Sequence, residues 1–244
     1  MATSQRSYAS LNGKFTSAVG VLKTLPVYNP NKVELKIPAL ETLITNSAAK
    51  DALVISTGGV LKDLRNSRRN IAFYNKDSDV NCVDNLFKNI LSYLKSDFGD
   101  KHQSVLNVSA IIKKLHPVYE KKEEVKEGEE PTKSRSESEK SFQSLANFGI
   151  DIFTIITGLG ETYKPSNEAI LPAAFKAKVD ELAKCNSDIA VAEKNYSEAV
   201  KGREDAYYGS SGIVTLTTAI KNYLASLEGG KKNAAYIAFS NALK

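Results

Sequence analysis

Two cysteines and two histidines in 244 residues leave little material for thiol or metal chemistry. Two cysteines cannot form the disulfide frame of a small secreted domain. His102 and His116 stand alone, because Gly99 and Lys113 occupy the positions where a ferritin-like carboxylate bundle needs a Glu three residues earlier. Cys82 and Cys185 form no Cys-x-x-Cys pair, and on helical patterns each reads as a small buried side chain. A Gly-x-Ser-x-Gly elbow is also absent, and Gly58-Gly59 and Gly229-Gly230-Lys231-Lys232 lack the spacing of a phosphate loop. Carboxylate pairs such as Glu204-Asp205 have nothing to single them out. We therefore expect no enzyme, with no catalytic residue, no metal site and no cofactor. Apolar runs stay short of the ~18 residues of a membrane-spanning helix. The opening stretch MATSQRSYASLNGKF lacks the apolar centre of a signal peptide, so the expected compartment is the cytoplasm.

What is present is an apolar share of 42%, enough for the core of one domain or two modest ones. The formal charge of +5 is uneven. Residues 120–140 hold eight acids and six bases, which leaves 27 bases against 20 acids elsewhere, about +7. With Gly128, Pro131 and hardly any apolar residue, this stretch cannot offset the entropy of ordering. It reads as a flexible charged linker, 119–140. A basic body attracts nucleic acid or anionic lipid, although solvated lysines on helix faces give the same count.

The chain repeats itself in order. Ser7-Tyr8-Ala9-Ser10-Leu11 returns as Ser141-Phe142-Gln143-Ser144-Leu145, and Tyr28-Asn29-Pro30-Asn31 as Tyr163-Lys164-Pro165-Ser166. Ile37-Pro38-Ala39 matches Leu171-Pro172-Ala173, Arg68 falls opposite Arg203, and Ile90 to Ser96 matches Ile220 to Ser226. We read a tandem duplication, with a first helical repeat at 1–118 and a second at 141–244.

Inside each repeat the apolar period is helical. Leu171, Phe175, Val179, Leu182, Ile189, Ala192, Tyr196 and Val200 predict one long helix, opened by Ser166 or Asn167 as N-cap after Pro165. In the first repeat Asn31 and Glu34 suggest a capping box, ahead of a stripe through Leu40, Leu43 or Ile44, Ala48, Ala52, Ile55, Val60, Leu64 and Ile71. Gly58-Gly59 predict a bend in that helix. Turns at 75–79 and 209–212 lead into further helices at Val80 to Phe98 and Ile213 to Leu227. The expected fold is all-α, a pseudo-twofold helical bundle with long antiparallel helices.

Residues kept in both repeats read as scaffold. Tyr28/Tyr163 and Pro30/Pro165 would fix the bend into the long helix. Arg68/Arg203 would bond carbonyls or a carboxylate near its C-terminal end, and Tyr93/Tyr223 would pack in the core. Lys62, Arg65, Arg68 and Arg69 make a candidate basic strip for phosphates, although the second repeat has Val200 where Arg65 stands. Phe148, Ile152, Phe153, Ile155, Ile156 and Leu159 belong to a segment apolar nearly all round, which we read as a buried helix or a membrane or partner face.

The Tyr-x-Pro bend, the long helix ending near an Arg and the Ile-x-x-Tyr-Leu-x-Ser-x-x-Gly-x-Lys close resemble a group of uncharacterised tandem-repeat helical proteins of flavobacteria-like bacteria. That resemblance implies a helical fold and carries no activity. The functional expectation is a non-enzymatic scaffold that mediates protein–protein association, first of all with itself as a homo-oligomer. The alternative is a membrane-active, pore-forming-like bundle using 148–159. Non-specific nucleic-acid binding through the basic face ranks third.

Overall fold

The computed structural model describes residues 2–73, 80–116 and 141–244, with side chains from Tyr8 onward. The linker expected at 119–140 and the turn expected at 75–79 lie outside the described residues. Among those described, every regular element is helical: α1 (Ala2–Lys23), α2 (Ile37–Ala72), α3 (Val83–Phe98), α4 (Gln103–Leu115), α5 (Phe142–Gly158), α6 (Pro172–Tyr208), α7 (Ile213–Ser226) and α8 (Ala234–Ala242).

The two long helices begin later than their cap signals suggest. Asn167 does cap, its Oδ1 accepting the Ala169 N–H at 3.0 Å, but it caps a short 3₁₀ turn, Glu168–Ile170. The α-helix opens only at Pro172, where the missing N–H would have had no helical partner. The capping box expected from Asn31 and Glu34 does not form. Lys32 precedes the matching 3₁₀ turn, Val33–Leu35, without a side-chain bond, and α2 opens at Ile37. Shorter helices end as their residues direct. Ser141 Oγ accepts the Ser144 N–H at 2.9 Å to start α5, and Asn233 Oδ1 accepts the Ala235 N–H at 2.8 Å to start α8. Gly99, at φ 82°, closes α3 with its N–H on the Lys95 carbonyl.

The buried stripe of α2 is narrower than its apolar residues imply, whereas that of α6 largely follows them. In α2 Leu40, Ser47, Val54 and Leu61 are buried at steps of seven, and Ile71 and Ala72 at its end, whereas Ile55 and Val60 are more than half exposed and Ala48 and Ala52 face solvent. In α6 the expected Phe175, Val179, Leu182, Ile189 and Ala192 are buried, with Ala199, Arg203 and Tyr207 beyond them, whereas Leu171 is exposed and Tyr196 and Val200 are half-buried. A seven-residue repeat is the signature of helices that meet along a coiled-coil edge.

The chain divides into two compact units: Met1–Leu61 with Val191–Lys244, and Lys62–Ala190. Both boundaries fall inside long helices, and the units do not coincide with the halves 1–118 and 141–244.

In the first unit α1 packs on α8 and on α7. Its Phe15, Ala18, Val19 and Leu22 join Leu40, Tyr207, Ile213, Leu216, Ile220, Leu224, Ala235 and Phe239 in one buried cluster. Here the start of α2 runs antiparallel to the end of α6. The Tyr207 hydroxyl donates to Asp51 Oδ2 at 2.7 Å, and the Tyr196 ring lies over Gly58, where a Cβ would stand 3.2 Å from it. Gly58 thus admits a ring, and helix α2 continues through Gly59 to Ala72.

In the second unit α5 packs on α3 and α4. Leu145, Ile152 and Ile156 of α5 are buried with Leu86, Phe87 and Ile90 of α3, Val105 and Val108 of α4, and Phe175 and Val179 of α6. Phe87 and Phe175 meet edge to face at 6.0 Å. Helices α5 and α6 approach so closely at Gly149 that a Cβ there would lie 2.6 and 2.8 Å from the two Val179 methyls. Each unit therefore takes its leading helix from one half of the sequence and its closing helices from the other.

Candidate functional site

The residues repeated in sequence meet one another in both units. In the first unit the Tyr28 hydroxyl donates to the Leu35 carbonyl at 2.6 Å, bridging the loop through Pro30 to the 3₁₀ turn before α2. Tyr223, from α7, stands edge-on to Tyr28 at 5.5 Å and 88°. Its hydroxyl accepts the Asn29 N–H at 3.1 Å. In the second unit Tyr163 donates to the Ile170 carbonyl at 3.0 Å, Tyr93 of α3 stands edge-on to it at 5.1 Å and 89°, and the Tyr93 hydroxyl accepts the Lys164 N–H at 3.1 Å.

Each of these is a latch of two tyrosines, one from the loop before a long helix and one from the other half of the chain. Burial, then the neighbouring Tyr223 phenol, pushes the Tyr28 hydroxyl up to about 12, and the same causes raise Tyr163 further. Both remain protonated donors at neutral pH. Tyr93 and Tyr223 are half-buried, and Tyr223 packs against the buried cluster of its unit as expected. Their hydroxyls hold a loop.

The arginines also differ from expectation. The Arg203 guanidinium stacks over Tyr8 at 4.2 Å and that of Arg68 over Phe142 at 4.0 Å. Tyr8 and Phe142 are the matched aromatic residues of α1 and α5, so each arginine pins a leading helix to the long helix of the other half. Ring stacking, in place of a bond to helix-end carbonyls, explains why the planar guanidinium is present twice. Arg203 is 7% exposed, and its Nε and that of Arg68 are buried without a hydrogen-bond partner.

This removes Arg68 from the basic strip. Lys62, Arg65 and Arg69 remain exposed on α2, while Arg68 turns to the Phe142 ring. The apolar segment is divided as well. Phe148, Ile152 and Ile156 are buried, and Phe153, Ile155 and Leu159 are half-buried. Lys114 and Lys176 lie 5.9 and 5.8 Å over the Phe148 and Phe153 rings, and Ile150, 48% exposed, is the large apolar side chain left open on α5. Among the described residues, no helix is long and apolar enough to cross a membrane. Among the same residues, no group of three or more His, Cys, Asp or Glu is placed to hold a metal ion.

Two polar contacts were missed by sequence reasoning. Asp84, nearly buried at the start of α3, accepts Lys88 Nζ at 2.7 Å and pairs with His116 Nε2 at 2.6 Å. Burial alone would raise this carboxyl, but the hydrogen bonds from Lys88 and His116 outweigh it and hold Asp84 below its usual range. The second is Tyr207 on Asp51, where burial and then the carboxylate raise the phenol. The four-residue step from Asp84 to Lys88 was readable as a helix pair. The 32-residue gap to His116 and the 156-residue gap from Asp51 to Tyr207 leave no local signal.

These groups hold elements together, with hydroxyls, guanidinium planes and carboxylates turned toward neighbouring helices. Compared with protein-family models, with curated proteins and with solved structures, the chain shows no match.

Proposed function

We propose that this chain is a non-enzymatic helical scaffold that arose by tandem duplication and works by protein association, first of all with itself. The observation that carries the reading is the pairing of repeated residues across the halves. Tyr28 meets Tyr223 as Tyr163 meets Tyr93, and Arg203 meets Tyr8 as Arg68 meets Phe142. A duplicated unit whose halves interact reciprocally has the interface logic of a homodimer joined into one chain. Tyr28, Tyr93, Tyr163, Tyr223, Arg68 and Arg203 are committed to these contacts. The test is light scattering on the full chain after refolding at concentrations from dilute to concentrated. Mass that rises with concentration supports the reading, whereas a strict monomer throughout that captures no partner refutes it.

A further inference from the structure

The two halves are each other's partners. Helix α1 buries Phe15, Ala18, Val19 and Leu22 in a cluster completed by Ile213, Leu216, Ile220 and Leu224 of α7 and Phe239 of α8, all from the second half. Helix α5, from the second half, packs on α3 and α4 from the first. The latches repeat the pattern, since Tyr223 holds the Asn29 backbone and Tyr93 holds that of Lys164. Neither half keeps its leading helix against its own closing helices. What covers each apolar face is a segment that any copy of the chain also carries.

We propose that chains of this protein associate by exchange, the first half of one copy pairing with the second half of another. The proposal rests on the self-association reading and gives it a mechanism. Two exchanged chains rebuild two complete sets of the contacts described above, so no new surface is required. Closure at two leaves no half unpaired, whereas an open array leaves one exposed at each end. Within a single chain the covalent connection gives the internal pairing a high effective concentration. Exchange also requires the halves to separate, so dimers form on refolding at high protein concentration and persist after dilution.

The experiment uses the full chain with a protease site placed between Gly128 and Pro131, the parent and the site variant first compared by circular dichroism. The protein is refolded at high concentration, the dimer is isolated, and the site is cut to completion as judged on a denaturing gel. An exchanged dimer then falls to the mass of one chain, 26.6 kDa, with both fragments in the peak. The cut monomer likewise keeps its two fragments together. A dimer that stays at twice that mass after cutting overturns exchange and leaves self-association standing. No dimer at any refolding concentration overturns both. Cut monomers whose fragments part in native buffer overturn the reciprocal pairing itself.

Discussion

Gly149 gives the sharpest test of the packing. It is helical and is not among the glycines with positive φ, so backbone conformation places no demand on it. In open space Gly149→Ala would stabilise α5 by about 1 kcal/mol through helix propensity. Here the new methyl would stand 2.6 and 2.8 Å from the Val179 methyls, well inside contact distance. Valine in a helix is stiff about χ1, so the strain passes to the α5–α6 spacing. Overpacking of this kind costs about 1–3 kcal/mol, leaving a net loss of about 0–2 after the propensity gain. Val179→Ala alone costs about 2 kcal/mol for its two buried methyls. In that background the methyl at 149 enters vacated space, and the same Gly149→Ala change becomes stabilising by about 1 kcal/mol. The coupling between the two sites is then about 1–3 kcal/mol. The chain has no tryptophan, so urea unfolding of the four proteins is followed by helical circular dichroism. Equal losses from Gly149→Ala in both backgrounds would refute the close approach as the reason for glycine.

Two further outcomes follow from the polar contacts. Tyr223→Phe and Tyr93→Phe keep the ring contacts but lose the hydroxyls that accept the Asn29 and Lys164 N–H groups, so each costs about 0.5–1.5 kcal/mol in urea unfolding, and by a similar amount in the two units. Loss in one variant and none in the other would break the equivalence of the latches. Asp84 is held below its ordinary value of 3.8, so its contribution is present above that pH and is lost as pH falls through the lowered pKa. Asp84→Asn is therefore less stable than the parent at neutral pH, and the gap narrows in acid below about 3.8; a gap that widens there contradicts the sign.

Helix type and length were legible because they depend on local signals. A period near 3.6, prolines ahead of each long helix and glycines after the shorter ones place α2 and α6 within a few residues of their observed ends. The starts slipped because a 3₁₀ turn intervenes, and nothing in Asn167 itself says which kind of helix it caps. The buried stripe of α2 was misread for a physical reason. Ile55 and Val60 are apolar but face solvent, whereas Ser47 is fully buried. Polar Ser47 interrupts the apolar repeat of seven in α2, so hydropathy there follows the wrong face. The repeated tyrosines and arginines could be found by comparing the halves. That Tyr223 meets Tyr28 could not, because it depends on which half supplies the covering helix, a property of topology that no short window contains.

The seven-residue register also constrains how this gene can change. Leu40, Ser47, Val54 and Leu61 keep step along α2 with no loop to absorb a slip. Deleting one residue near Gly59 would turn everything beyond it by about 100° about the helix axis. Leu61 would then leave the seam that Leu40, Ser47 and Val54 share. Substitutions can accumulate freely on the outer faces, but changes in helix length are tolerated in whole heptads, and only when α6 changes to match. Such a chain diverges in sequence while its long helices keep their lengths.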